Sequence, residues 1–304
     1  MNDHTKKLSA VIIINNYNYA RFLTQSVESA LKQTHQAKRV IIIDDGSTDG
    51  SVELSEKLAN KYKNLELIKK NNGGQLSCFN EAAKVIGDTE WVFFLDADDC
   101  YPPNYLESVL KGASSEVSVI LSAAREFKGS PPELEAQHKE KNLPNIIDVP
   151  KSVHITRSLG KSIGRPTSGI AVRAPLYKRL FPYYPEQDWR ISADQVILRG
   201  SSILGAHKRF LTSVFFNYRI HGENYWHGRD RKKVAPERSA AIKRLNIEMS
   251  KRSIDAPKNV EIISIGALKE ILSIPKAYRP ILNIPSVGYF LLATLFWPVR
   301  KRKF

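Results

Sequence analysis

Carboxylates concentrate behind two apolar runs of this 304-residue chain, and side-chain amides follow a third. The acidic positions after those runs are Asp44, Asp45, Asp96, Asp98 and Asp99. An unshifted Asp has a pKa of about 3.9, so all five are ionised at pH 7 and repel one another unless a cation neutralises them. A divalent metal takes oxygen ligands and keeps positions open for substrate phosphates. Asp96 and Asp98, expected on one side of an extended segment, therefore predict a Mg²⁺ or Mn²⁺ site.

Short apolar runs alternate with helical patterns over the first 125 residues. The continuous runs Ala10–Ile14 and Val40–Ile43 are typical of strands buried on both faces, as in a parallel sheet. Further strands are predicted at residues 65–68, 91–95 and 117–121, with helices between them. The alternation predicts a doubly wound α/β domain, whose ligands bind at the carboxyl ends of the strands.

Several other chemistries lack their motifs. No Walker A loop is present and no G-x-G-x-x-G follows the first strand, which removes the main support for an ATPase or a Rossmann dehydrogenase. Cys78 and Cys100 lack metal-ligand spacing and are expected as reduced thiols in the cytoplasm. Gly73-Gly74-Gln75, at a predicted helix start, fits either a close approach to a phosphate or a tight turn.

Positive charge is concentrated in the last third of the chain. Residues 205–304 hold 20 Lys and Arg against 7 Asp and Glu, whereas residues 1–204 hold 26 against 24. A basic end of this kind favours an anionic membrane surface or nucleic acid as partner, and a solvated surface is the alternative.

The last residues form an apolar tail. Ile281–Val299 carries no charge and is followed by the basic run Arg300–Lys303. Because Pro298 interrupts a short apolar segment, an interfacial or re-entrant helix is favoured over a full span, with a docked core helix as the alternative. The N-terminal apolar run is too short for a secretion signal, so we expect the main domain in the cytoplasm. Residues 129–150 are predicted to form a long loop, and residues 234–272 to be mostly helical.

Taken in order, the polar motifs resemble those of family 2 glycosyltransferases with the GT-A fold. The matching segments are Val11–Asn18 (VIIINNYN), Ile43–Ser51 (IDDGSTDGS), Asn71–Gln75 (NNGGQ) followed by Asn80, and Phe94–Asp99 (FLDADD). The resemblance is specific over residues 9–110. It continues more loosely through Pro166–Gly169, Asp194 and Tyr218–Gly222, and ends near residue 225. It implies a Rossmann-like, mostly parallel sheet flanked by helices, with a helical C-terminal extension.

The resemblance also implies roles for the donor-binding positions. Asn15 and Tyr17 match residues that hold the nucleotide base, and Asp45 matches the carboxylate that reads the base or ribose. Asp96 matches the first acid of the D-x-D motif, which contacts ribose and sugar. Gly74 and Gln75 complete the expected donor-binding set.

Metal binding and catalysis are assigned in the same way. Asp98 matches the metal-binding acid, with Asp96 and His221 as further expected ligands, although a surface histidine is an equal alternative for His221. Asp194 lies where the family carries its general base, often as a Glu-Asp pair. Here Ala193 precedes it, a departure that leaves Asp194 as the acid at that spot, and Asp188 is a nearby competitor.

The implied reaction is an inverting transfer of a sugar from a nucleotide-diphosphate donor, expected to be UDP-linked, to an acceptor hydroxyl. Arg165, Thr167 and Ser168 are expected on the acceptor side. The apolar tail and basic charge suggest a glycan or lipid-linked acceptor at the inner membrane face, as in surface polysaccharide or lipopolysaccharide synthesis. The expected cofactor is Mn²⁺ or Mg²⁺, and no nucleic-acid partner is expected.

The expected organisation has two parts. Residues 1–225 form the GT-A domain, with a nucleotide-sugar half at about 1–125 and an acceptor half at about 126–225. Residues 226–304 form a basic helical extension whose membrane-associating tail covers about 281–304.

Other functions compete with this one. A sugar-phosphate nucleotidyltransferase also places acids at a sheet edge, but it normally has a Gly-rich basic loop after the first strand, and Asn15–Tyr19 is nothing of that kind. Nucleic-acid binding would account for Tyr225 and Trp226 among basic residues, but it leaves the clustered carboxylates unexplained. A non-catalytic relative is disfavoured by the intact acids.

Overall fold

The chain folds around one eight-stranded mixed sheet. The computed structural model describes residues 7–132, 136, 145–159, 162–224, 235–253, 270 and 272. The strands in chain order are β1 (Ala10–Asn16), β2 (Arg39–Asp44), β3 (Leu65–Lys69), β4 (Trp91–Asp96), β5 (Val117–Phe127), β6 (Ile146–Val149), β7 (Ile170–Arg173) and β8 (His207–Arg219).

Helices cover both faces of the sheet. In chain order they are α1 (Ala20–Leu31), α2 (Ser51–Lys61), α3 (Gln75–Val85), α4 (Tyr105–Leu110), α5 (Val153–Leu159), α6 (Ala174–Leu180), α7 (Asp194–Ile203) and α8 (Ala235–Arg252). Two short 3₁₀ turns, Thr167–Gly169 and Glu186–Trp189, lie in the second half of the chain.

The strand order is β3-β2-β1-β4-β7-β5-β8-β6. The first four strands of that order pair in parallel, as do β5 and β8. The pairs of β7 with β4 and β5, and of β6 with β8, are antiparallel. This mostly parallel sheet between helices confirms the predicted fold class.

Alternate residues of β1 enter two separate apolar cores. Val11 and Ile13 join one buried cluster, and Ala10, Ile12 and Ile14 join the other, all with no solvent exposure. Because both faces of the strand are covered, both sets of side chains must be apolar, which explains the continuous run in the sequence.

The helix α8 packs onto the same body. Its buried residues Ala241, Leu245 and Met249 belong to the cluster that contains Val11. A Cβ at Gly200 of α7 would lie 2.6 Å from Leu180 of α6 and 3.3 Å from the sulfur of Met249. The absent side chain therefore lets α6, α7 and α8 approach closely.

The predicted loop at 129–150 contains β6, which is an edge strand paired with β8. Cys78 and Cys100 are both buried free thiols. Of the predicted helical region 234–272, the structure describes α8 and little beyond it, and the tail at 281–304 lies outside the described residues. Within the described part of the chain, no helix has the length and apolar character needed to cross a membrane.

Candidate functional site

The ends of β1 and β4 bring an amide and a carboxylate together. Parallel pairing sets Asn15 beside Asp96, and the Asn15 side-chain amide donates to Asp96 Oδ1 over 3.2 Å. The Gln75 amide, at the start of α3, donates to the same oxygen over 3.2 Å. Burial, followed by the charge of Asp98, raises the pKa of Asp96 to about 7. Two side-chain amides, one from β1 and one from α3, thus hold one oxygen of Asp96.

Asp45, at the end of β2, is held by the turn that precedes α3. Its Oδ1 accepts from Lys70 Nζ at 2.6 Å and from the Gly73 N–H at 2.9 Å. Its Oδ2 accepts from the Gly74 N–H at 2.7 Å. The residue is 3% exposed yet lines the cleft, so the expected base-reading carboxylate also organises the glycine turn.

The D-x-D segment is not extended beyond Asp96, which corrects the prediction that Asp96 and Asp98 share one side of an extended segment. β4 ends at Asp96, and the Asp99 N–H donates to the Asp96 carbonyl over 3.0 Å, so the segment turns back at once. Asp98 therefore lies in the turn and not on β4. The Oδ2 atom of Asp98 lies 2.9 Å from His221 Nε2.

Asp99 is a buried structural acid. It accepts a hydrogen bond from Ser168 Oγ at 2.6 Å and one from the Arg219 N–H at 3.0 Å. Burial and the neighbouring Asp98 charge raise its pKa well above the usual range. Asp44 is equally committed, since it accepts from Asn16 and from the Ser47 N–H. The five predicted carboxylates are therefore not one metal cluster.

His221 is oriented by its surroundings. The Glu223 N–H donates to His221 Nδ1 over 3.2 Å, which leaves Nε2 to carry the proton and donate to Asp98. The ring lies 5.0 Å from that of Phe22 and 5.8 Å from that of Tyr19. Among the described residues, no group of three His, Cys, Asp or Glu is arranged to hold a metal ion.

Asp194 faces this cluster from the first turn of α7. The Ala193 N–H donates to Gln75 Oε1 at 2.8 Å, and the Gln75 N–H donates to the Arg190 carbonyl at 2.8 Å. Burial raises the pKa of Asp194 to about 6, and its charge contributes to the raised pKa of Asp96. The two acids therefore lie within electrostatic reach of each other.

Asp188, the competing base of the sequence analysis, is engaged elsewhere. Its two carboxylate oxygens accept from Arg244 Nε at 2.7 Å and from Arg244 Nη2 at 2.5 Å. The Asp188 side chain is 5% exposed and does not line the cleft. The geometry favours Asp194.

These groups line one cleft of about 1060 Å³. The predicted site residues on its wall are Asn15, Tyr17, Asp45, Gly74, Gln75, Asp96, Asp98 and Asp194. Tyr17 is 47% exposed at the rim, and Arg165 and Thr167 also line the cleft, where Thr167 Oγ1 accepts from the Gln75 amide over 3.4 Å. His221 is not on the wall and reaches the site through Asp98, while Ser168 is buried behind Asp96, to whose N–H it is bonded.

Sequence reasoning missed two basic residues of the site. Lys70 directly follows β3 and pairs with Asp45 at the shared strand edge, so the strand-end rule would have found it. Arg190 bonds to the side-chain oxygen of Asn72 in the turn before α3. Nothing in the local sequence signals that second contact, because the two residues are far apart in the chain.

Comparison with known proteins places these motifs in a family. The profile described as Glycosyl transferase family 2 matches residues 11–180. The chain is 34% identical over 218 residues to the uncharacterized glycosyltransferase alr2836 of Nostoc sp.. The match covers 70% of this chain and 65% of that relative, so the chain spans less than two thirds of the relative's length.

Solved structures share the fold at low sequence identity. TarS 1–349 of S. aureus, in complex with UDP-GlcNAc, superposes with a TM-score of 0.59 at 20% identity, covering 94% of this chain and 81% of TarS. GalNAc-T7, with UDP, GalNAc and Mn²⁺, gives a TM-score of 0.58 at 13% identity, covering 97% of this chain and 59% of that one.

Proposed function

The chain belongs to glycosyl transferase family 2, and from that premise we propose that it transfers a sugar, with inversion, from a nucleotide-diphosphate donor to an acceptor hydroxyl. The observation that carries the proposal is the placement of Asp194 across one cleft from Asp96 and Asp98. A base on one side and donor-binding acids on the other are what a single displacement needs. Family membership favours this reaction over nucleotidyl transfer and over nucleic-acid binding.

The donor occupies the side of the cleft formed by β1, β2 and α3. Asn15 and the exposed ring of Tyr17 hold the base, and Asp45 Oδ2, which accepts one described hydrogen bond, contacts the base or ribose. Asp96, fixed by two amides, contacts ribose and sugar. UDP is the proposed nucleotide, supported by its presence in the TarS and GalNAc-T7 structures.

The side chains around Asp98 fit a divalent metal. Asp98 Oδ2 and His221 Nε2 converge at 2.9 Å on little-exposed side chains, and Asp96 adds negative charge nearby. Asp98 and His221 would hold Mn²⁺ or Mg²⁺, with Asp96 beside it, and the proton of the His221 ring would then move from Nε2 to Nδ1 so that Nε2 is free to bind the cation. The cation, when bound, stabilises the negative charge that develops on the departing diphosphate. The Mn²⁺ in GalNAc-T7 supports this assignment.

Asp194 supplies the base. A hydroxyl is a poor nucleophile near pH 7, and a carboxylate that accepts its proton in the transition state contributes about 10²–10⁴-fold. One in-line attack inverts the anomeric centre, so an α-linked donor yields a β-linked product. Gln75 ties the two sides together, because its amide contacts Asp96 while its oxygen accepts the Ala193 N–H.

The acceptor enters beside Arg165 and Thr167. We assign residues 1–225 to the GT-A domain and residues 226–304 to a basic extension that includes α8. The charge-free segment 281–299 and the four basic residues after it support a peripheral position on the inner face of the cell membrane and a glycan or lipid-linked acceptor. Surface polysaccharide or lipopolysaccharide synthesis is the proposed setting.

Stereochemistry tests the reaction. The protein is mixed with UDP-GlcNAc, UDP-galactose or GDP-mannose and Mn²⁺, and the anomeric protons of the released sugar are followed by NMR, water serving as acceptor. We expect the first sugar released from an α-linked donor to be the β anomer. A first-formed α anomer would refute inversion, and no release from any donor would refute the transferase assignment. The variant Asp88→Asn, which changes an exposed acid away from the cleft, should release the same anomer as the unchanged protein.

Membrane association has its own test. Removal of residues 281–304 is expected to abolish sedimentation with vesicles that contain anionic lipid, while UDP binding measured by calorimetry stays unchanged. Equal sedimentation of both forms would refute the role of the tail.

A further inference from the structure

Two polar side chains of α7, Gln195 and Arg199, form a chain of hydrogen bonds that starts at the candidate base Asp194. The Gln195 amide nitrogen donates to Asp194 Oδ2 over 3.4 Å. The Gln195 oxygen accepts in turn from Arg199 Nε at 3.1 Å, four residues further along the helix. Because Arg199 can only donate, it fixes which end of the Gln195 amide turns toward Asp194.

The burial of Arg199 in this position is energetically costly. It is 7% exposed, and its buried Nη1 has no hydrogen-bond partner among the described residues. A buried charge that lacks partners is costly, so it needs a compensating interaction or a function. Burial and the nearby Arg238 lower the pKa of Arg199 to about 10, and Asp194 is the acid that opposes them.

We propose that Gln195 and Arg199 are positioning residues, which hold Asp194 Oδ2 so that Oδ1 faces the acceptor hydroxyl. The inference rests on the proposed function, since it concerns the same base. Neither residue is expected to touch the donor: Arg199 does not line the cleft, and Gln195 lines it on the Asp194 side.

The charges around Asp194 come from three elements. Arg199 lies on the same helix, Arg238 reaches it from α8, and Asp96 faces it from the end of β4. Burial raises the pKa of Asp194, whereas the hydrogen bond from Gln195 and the charges of Arg238 and Arg199 lower it. Without the Arg199 charge the base would hold its proton to a higher pH.

The test is the pH profile of UDP or GDP release from the best of UDP-GlcNAc, UDP-galactose and GDP-mannose, with Mn²⁺ present. Arg199→Met is expected to move the acid limb of kcat/KM upward by roughly one pH unit, and Arg199→Lys by less. Gln195→Met removes the hydrogen bond to Asp194, so it is expected to move the acid limb upward as well and to lower kcat roughly tenfold through misplacement of the carboxylate, with the Kd for the nucleotide unchanged.

Arg209→Met is the matched control, because it removes another largely buried guanidinium, one paired with Asp148. It should leave the acid limb in place. Unchanged profiles and kcat in Arg199→Met and Gln195→Met would overturn the inference. If Arg199→Met fails to fold, as judged by thermal unfolding, the less buried Gln195→Met decides.

Asp194→Asn separates the positioning role of Gln195 and Arg199 from the proposed role of Asp194 as the base. Loss of turnover in Asp194→Asn with no effect of the other variants would overturn the positioning role alone. Normal turnover in Asp194→Asn would overturn the proposed base, and the inference with it. A protein that releases nucleotide from none of the three donors would contradict the proposed function itself.

Discussion

The two sides of the cleft are built by different means. On the side that we propose binds the donor, Asn15 and Asp96 sit opposite each other because β1 and β4 pair in parallel, so the backbone itself sets their spacing. On the proposed acceptor side, Asp194 begins a helix that is tied to its surroundings by side chains. These are Gln75 of α3 and the ion pair between Arg244 of α8 and Asp188 of the preceding 3₁₀ turn. Donor binding should therefore tolerate changes that abolish the geometry of the base.

Replacement of the base should separate the two sides most sharply. Asp194→Asn keeps the shape of the side chain but removes its capacity to accept a proton, so kcat should fall about 10²–10⁴-fold. Affinity for UDP with Mn²⁺, measured by calorimetry, should stay within about twofold because the donor side is set by strand pairing. A comparable loss of UDP affinity would show that the two sides are not independent.

A glycine joins the two sides, and its replacement should break the contrast. Gly74 has φ 87° and ψ 174°, a conformation almost restricted to glycine, and a Cβ there would lie 2.5 Å from the Arg190 Cα. Gly74→Ala should lower the free energy of unfolding by about 3 kcal/mol, about a hundredfold in the unfolding constant, as measured by urea denaturation.

Gly50→Ala is the control for that substitution. Gly50 has the same φ of 87°, but no atom lies within 4 Å of the added Cβ. Its cost should be limited to about 1 kcal/mol of backbone strain. Equal losses in the two variants would mean that the contact with Arg190 contributes nothing.

The metal assignment sharpens the donor side. Asp98→Asn should weaken Mn²⁺-dependent UDP binding about thirtyfold, equivalent to about 2 kcal/mol, because one charged ligand is lost. UDP binding without metal should change little. Calorimetry with and without Mn²⁺ measures both, and a thirtyfold loss in Asp88→Asn as well would assign the effect to general charge.

The pH profile gives the smallest expected effect. Because Asp194 accepts a proton only when ionised and its pKa is about 6, kcat/KM should fall about tenfold for each unit below that pH. A limb that remains near pH 4 would mean that the base is an ordinary exposed carboxylate.

Much of the donor side was predictable from sequence. Continuous apolar runs identify buried parallel strands, and the polar residues after them must meet at one sheet edge, so Asn15, Asp45 and Asp96 follow from local pattern. The extended D-x-D geometry was wrong, because a strand pattern does not reveal where the strand stops. Asp98 lies in a turn, and its partner His221 is contributed by a distant segment.

The acceptor side was predictable only in part. Asp194 emerged from the family resemblance, but the choice against Asp188 needed coordinates. That choice depends on Arg244, which pairs with Asp188. Arg244 belongs to α8, which follows in sequence the residues 225–234 that the structure does not describe. Contacts between side chains far apart in the chain leave no periodic trace in a sequence, so neither this pair nor the Gln75–Ala193 contact follows from it.

The strand order has a consequence for the newly synthesised chain. β7 is the partner that covers the outer edge of β4, yet it lies more than 70 residues later in the sequence. A growing chain that has reached residue 125 therefore presents β4, an apolar strand, as an unpaired edge, the kind of surface on which chains mispair. The acids at the end of that strand gain their final neighbours only when β7, β8 and His221 have left the ribosome.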